Sequence, residues 1–263
     1  MVNSLQSQTA PATTQLMQNR IALVTGASRG MGAATAKLLA SNGAAVAVNY
    51  FGSEAAAQQV VSDIEAAGGR AIAVRADVHD QQQVEAMVQQ VAEQFGAVDT
   101  LVINAAGHFE IAPFIHLSWD GFQAKLVDEL KAAFFPAKAV VPGMIERQYG
   151  SIIAVSTGMS RYPMTGFAAL STAKSGLDAF IKSLALELGA HGIRANLVAP
   201  GLTLTDASAV TPQEIKDATA NMTPLRRNAL PDDIASAILM LASDQARFIT
   251  GAYVPVSGGL QML

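Results

Sequence analysis

The stretch LVTGASRGMG, residues 23–32, decides the fold. It begins as the end of a short apolar run and finishes inside a segment with helical spacing. Gly26, Gly30 and Gly32 lie across that junction, where they allow a tight turn, close backbone approach to a pyrophosphate, and close packing of helix on strand. The opening turn of a helix leaves N–H groups without partners and carries the positive end of the helix dipole. An anionic phosphate is the natural occupant of such a turn.

Outward from this turn, short apolar or β-branched runs alternate with longer helical patterns. Residues 20–24, 44–50, 70–76, 100–104, 151–156, 193–198 and 253–256 read as buried strands. Helices are expected near 30–42, 53–67, 81–95, 119–147, 167–190 and 231–243. This alternation predicts right-handed strand-helix-strand units: an α/β, Rossmann-type, doubly wound parallel sheet of about seven strands with helices on both faces. One irregular stretch, 202–228, interrupts the pattern and reads as a substrate-loop insertion. Within it TPQE (211–214) has capping-box form, with Thr211 at the cap, Pro212 in the first turn and Glu214 reaching back.

The 263 residues suffice for one large core, so residues 19–263 are expected to form a single domain. Residues 1–18 are polar, lack basic residues and have no apolar run, and they read as a disordered tail. A net charge of −4 excludes a nucleic-acid surface, which needs clustered Lys and Arg. Without cysteine there is no disulfide and no thiolate chemistry, which fits a cytoplasmic protein. The most apolar segment, AAFFPAKAVVPGMI (132–145), is too short to cross a membrane and holds Pro136 and Pro142. A helix apolar nearly all round needs cover on more than one side, which implies a homo-oligomer, dimer or tetramer.

Further marks follow in a definite order: RADV with Asp77, NAAG (104–107), APG (199–201) with Thr205, and ASDQARFITGAYVPVSGG (242–259). Together with the glycine turn they resemble short-chain dehydrogenase/reductases, in particular 3-oxoacyl-(acyl-carrier-protein) reductases, over about residues 20–260. The resemblance implies a nicotinamide dinucleotide. Its contacts would come from Gly26, Ser28, Arg29, Gly30, Met31 and Gly32 at the turn, and from Asp77 and Val78 near the adenine. Asn104, Ala105, Ala106, Lys174, Pro200, Gly201, Thr203 and Thr205 would follow toward the nicotinamide.

The second strand ends VAVNYFGSE, with Asn49 and Tyr50 where NAD binders carry an acid for the ribose 2′-hydroxyl. A carboxylate there would repel a 2′-phosphate, whereas Arg29 can pair with one and Asn49 and Ser53 can donate to it. NADP(H) is therefore expected over NAD(H).

The resemblance also implies a catalytic Tyr four residues before Lys174, but that position is Leu170. A related branch places its Tyr seven before the Lys, where this chain has Phe167. The family's Ser position falls on Thr157, beside Ser156, and its Asn position on Glu129. Carbonyl reduction needs an acid for the oxygen and donors to steady it. Tyr162 and His108 are the local substitutes, although Tyr162 also reads as a pocket-lining aromatic and His108 as a solvated loop residue. His79, His116 and His191 show no metal spacing or partner pattern. Glu129 either faces Lys174 or lies on the helix surface beside Asp128.

Three activities fit these residues: an NADP(H)-dependent oxidoreductase acting on a carbonyl or activated alkene with a non-standard proton donor; a cofactor-binding sensor without turnover; or a non-redox enzyme reusing the pocket. The segments around 108–119 and 202–228 have few charges, so the substrate is expected to be small, uncharged or partly hydrophobic.

Overall fold

The computed structural model describes residues 15–262. Strands β1 (Ile21–Val24), β2 (Ala45–Tyr50), β3 (Arg70–Arg75), β4 (Thr100–Ile103), β5 (Gly150–Val155), β6 (Ile193–Pro200) and β7 (Tyr253–Val256) form one sheet in the order β3-β2-β1-β4-β5-β6-β7. Every pairing is parallel. A parallel sheet is covered on both faces, so its strands are apolar throughout rather than alternating. β2, β4, β5 and β6 are accordingly buried at every residue.

Helices α1 (Gly30–Ser41), α2 (Glu54–Ala66) and α7 (Pro231–Ala242) cover one face, in a core with Val24, Leu39, Ile153 and Ile238. Helices α3 (Gln81–Phe95), α4 (Trp119–Arg147) and α5 (Ala168–Leu188) cover the other, around Leu23, Leu101, Met144 and Ile181. The chain winds outward from β1 to β3, then returns to place β4 on the other side of β1. That reversal opens a crevice beyond the carboxyl ends of β1 and β4, the usual ligand position in such sheets.

α4 runs 29 residues through both Pro136 and Pro142. Ser118 caps it by accepting the Gly121 N–H at 3.0 Å, and Gln148 ends it in left-handed conformation at φ 52°. Among the described residues, no helix is long and apolar enough to cross a membrane.

Two expectations need correction. The Met17 side chain is fully buried in the core around α1, and its N–H donates to the Asn42 carbonyl at 2.9 Å. Met17 is therefore anchored rather than part of a free tail, while Gln15 and Gln18 beside it are exposed; a single apolar anchor leaves no periodic trace in the sequence. Residues 1–14 lie outside the described residues. The capping box at TPQE does not form either. Pro212 is extended at φ −53°, ψ 144°, so it sits at the cap of α6 (Gln213–Met222) and Thr211 falls outside the helix.

Candidate active site

The glycine turn is shaped by what stands opposite it. Gly26 and Gly30 have φ of +62° and +57°, a region that favours glycine. A Cβ on Gly26 would stand 2.8 Å from the Ala105 Cα, and one on Gly32 would stand 2.6 Å from Asn104 Nδ2. The two strand ends at the switch point are thus in contact. Thr25, which the sequence reading passed over, joins them: its Oγ1 accepts the N–H groups of Asn104 at 3.0 Å and Ala105 at 3.1 Å. Asn104 returns the bond, donating from Nδ2 to the carbonyls of Thr25 at 2.9 Å and Gly26 at 3.0 Å. Arg29 occupies the cap of α1 without capping it. The first-turn N–H groups therefore face the crevice with no side-chain acceptor, and a diphosphate fits this cradle.

At the end of β2 the structure departs from expectation. Asn49 is buried; its Oδ1 accepts the Gly26 N–H at 3.1 Å and its Nδ2 donates to the Ala76 carbonyl at 3.1 Å. Its polar atoms are committed within the protein, so Asn49 supports the glycine turn rather than donating to a ribose phosphate. Tyr50 is likewise buried, in the core with Val48 and Val60. The positive charge lies further out. Arg29 donates to Ser53 Oγ, and Arg75, unnoticed in the sequence, donates to the Phe51 carbonyl at 3.2 Å. Asp77 is paired with His79, whose N–H and Nδ1 lie 2.9 and 2.8 Å from Oδ1. His79 was expected to be partnerless and is not.

On the nicotinamide side, two ammonium groups share one carboxylate. Lys174 Nζ donates to the Val155 carbonyl at 2.6 Å and lies 2.7 Å from Glu129 Oε1. Lys125, one turn before Glu129, donates to Oε2 at 2.6 Å. The side chains of Lys125, Glu129 and Lys174 are 1, 3 and 8% exposed. The surface placement of Glu129 is therefore overturned. Burial raises the Glu129 carboxyl pKa, but the ammonium charges of Lys174 and Lys125 outweigh it and hold the group below its ordinary value. Lys125 was missed in the sequence, although its spacing of four from Glu129 is the helical ion-pair signal. Phe109 lies over this cluster, 5.7 Å from Lys125 Nζ, and packs on Phe167 at 6.0 Å.

Leu170 is buried one turn before Lys174. The chain has four tyrosines, and each phenol is placed elsewhere. Tyr50 is in the core, and Tyr149 donates to Asp244 at 3.1 Å. Tyr162, half exposed, donates to the Met262 carbonyl. Tyr253 donates to the Thr157 carbonyl at 2.9 Å, and burial raises its pKa, keeping the phenol protonated. The Ser156 hydroxyl donates a hydrogen bond to Asp178, which also accepts from Ser160 at 2.7 Å. Ser156 is thereby tied to a network under the β5 loop rather than to Lys174. Thr157 accepts the Met159 N–H at 3.4 Å and lies two residues past the end of β5. His108 is exposed on the loop after β4. The structure thus brings Lys174 and Glu129 together and leaves Tyr162 and His108 outside their hydrogen-bond network.

The switch-point cradle and the lysine on α5 define a dinucleotide-dependent oxidoreductase fold. Residues 26–261 match the family model described as enoyl-(acyl carrier protein) reductase, and the chain belongs to the short-chain dehydrogenase/reductase family, whose members use a nicotinamide dinucleotide. Among its relatives, the L-rhamnose 1-dehydrogenase (NAD(P)(+)) of Sphingomonas sp. is 38% identical over 94% of this chain and 98% of its own. The 3-oxoacyl-(acyl-carrier-protein) reductase FabG of Staphylococcus aureus is 36% identical over 94% of this chain and 100% of its own. A crystal structure of a dehydrogenase/reductase from Sinorhizobium meliloti matches with a TM-score of 0.86 at 34% identity, covering 95% of this chain and 98% of that one.

Proposed function

We propose that this protein is an NADP(H)-dependent oxidoreductase acting on a carbonyl or activated alkene, with Lys174 rather than a phenol as the proton-bearing group of the site. The observation that carries this is the buried Lys174 ammonium. Two of its three N–H donors are engaged by Val155 and Glu129, and one is left for the site. When bound, the reduced cofactor would supply the hydride. Lys174 would then offset charge growing on the substrate oxygen, an effect strengthened by its exclusion from water. Thr157, at the carboxyl end of β5, is the nearby hydroxyl donor.

The preference for the 2′-phosphate rests on Arg29, which meets Ser53 just beyond β2 with no acid before Glu54. Exposed Ile111, Phe114, Met164, Val210 and Leu225 on loops beyond the strand ends favour a partly hydrophobic substrate. Exposed Phe134 and Leu186 on α4 and α5 favour a homo-oligomer.

The test follows NADPH and NADH absorbance with ketones, quinones and enones, alongside fluorescence titration of each cofactor. Tighter NADPH binding and its consumption support this reading. Tight binding without consumption on any substrate would instead identify a cofactor-binding sensor, which the replacement of the phenol by Leu170 favours. No uptake of either nucleotide defeats both.

A further inference from the structure

We propose that Lys125 is a positioning residue for Lys174, acting through Glu129. This rests on Lys174 being a group of the site, as read above. Glu129 offers two oxygens, and each is taken by a different ammonium: Oε2 by Lys125 at 2.6 Å and Oε1 by Lys174 at 2.7 Å. The three side chains carry a net charge of +1 behind an aromatic cover.

Without Lys125 the balance changes in two ways. A buried Glu129 paired with Lys174 alone would cancel its charge, leaving the site no net positive group. Oε2 would also lose its donor, and an orphaned buried carboxylate oxygen seeks the nearest replacement. Among the described residues the other ammonium paired with Glu129 is Lys174, so the carboxylate would draw its remaining N–H away from the crevice. Lys125 prevents this by occupying Oε2. Its own position is set within α4, because residues four apart share a helix face. Lys174 comes from α5, so the Lys125–Glu129 pair holds a preset carboxylate oxygen, Oε1, against which α5 presents its lysine.

The charge pattern also explains why a carboxylate is tolerated here. A single buried ion pair rarely repays its desolvation, and a carboxylate between two ammonium groups is better compensated. Lys125 is therefore required by Glu129, and Glu129 in turn orients Lys174. Lys125 touches neither cofactor nor substrate in this scheme.

The test compares wild type with Lys125→Met and Lys125→Arg, using protein labelled with ¹⁵N-lysine and Lys174→Arg to assign the Lys174 Nζ signal. Two quantities are read: that signal without nucleotide, and the NADPH dissociation constant by fluorescence. Lys125→Met is expected to shift the Lys174 signal and weaken NADPH about tenfold, and Lys125→Arg to restore both, since a lost charge-assisted contact has this size. A folded Lys125→Met protein with an unmoved Lys174 signal and unchanged affinity overturns the proposal. Should that variant fail to fold, Lys125→Gln, which keeps a donor to Oε2 but removes the charge, tests the charge effect: a shifted Lys174 signal with weaker NADPH binding supports the proposal, and an unmoved signal with unchanged affinity overturns it. If wild type takes up no nucleotide, the parent reading fails, while the nucleotide-free Lys174 signal still tests Lys125.

Discussion

Lys174 on α5 and Glu129 on α4 meet at 2.7 Å in a contact almost closed to water. The sequence resemblance sets Glu129 at a position where an uncharged amide is expected and Leu170 at one where a phenol is expected. The first prediction follows from the vacant acid. Leu170→Tyr restores a phenol one turn from Lys174, and a positioned general acid contributes ~10²–10⁴ in rate. Turnover on a reducible ketone is expected to rise, measured by NADPH consumption. An unchanged rate with intact cofactor binding would mean that the pocket is no longer arranged around a phenol.

Glu129 also sets an acid limit on stability. Its folded pKa lies below the ordinary value of 4.5, despite burial, because of Lys174 and Lys125. Its contribution is full above the unfolded pKa and is lost as pH falls through the folded one. Glu129→Gln should remove that limb from the acid-unfolding profile. It should also lower stability at neutral pH by about 3–5 kcal/mol, since two buried ammonium groups lose their counter-charge. Urea melts at several pH values would show both effects.

Arg29 bears on cofactor choice. Arg29→Ala is expected to weaken NADPH about 10- to 100-fold, the range of a hydrogen bond to a charged group, while leaving NADH affinity nearly unchanged. Parallel titrations of the two nucleotides check this. Equal losses for both would assign Arg29 to the diphosphate.

Gly32 tests the cradle itself. Gly32→Ala places a methyl 2.6 Å from both Asn104 Nδ2 and the Gly26 carbonyl oxygen, so α1 must shift away from β4. A loss of about 1–3 kcal/mol is expected from overpacking, with nucleotide binding falling further than stability. Calorimetric melting and cofactor titration on the same sample separate the two.

The architecture was legible because it rests on local patterns. The run before Gly26 and the buried character of β5 and β6 each announce an element without help from distant residues. β7, α3 and α4 match the expected bounds, and the other elements shift by one or two residues at one end or both. The site was legible only in part. Lys174 and Glu129 were reached by spacing from motifs, and the spacing of Lys125 from Glu129 is itself a local signal; what no local pattern encodes is the contact between α4 and α5 that sets both ammonium groups on one carboxylate. Asn49 misled for the same reason: a polar residue at a strand end reads as a ligand contact until its partners, Gly26 and Ala76, are seen. Met17 was hidden because one buried side chain makes no pattern.

The Asn49 bridge also limits how the chain could be recast for the unphosphorylated dinucleotide. The obvious exchange, Asn49→Asp, keeps an acceptor for Gly26 but sets a second oxygen against the Ala76 carbonyl at the 3.1 Å now spanned by a donor. Lone pairs would face one another beneath the bend that α1 depends on. Redesign is thereby pushed outward, to Phe51 and Ser53, where a new acid would meet solvent and Arg29 instead of the sheet.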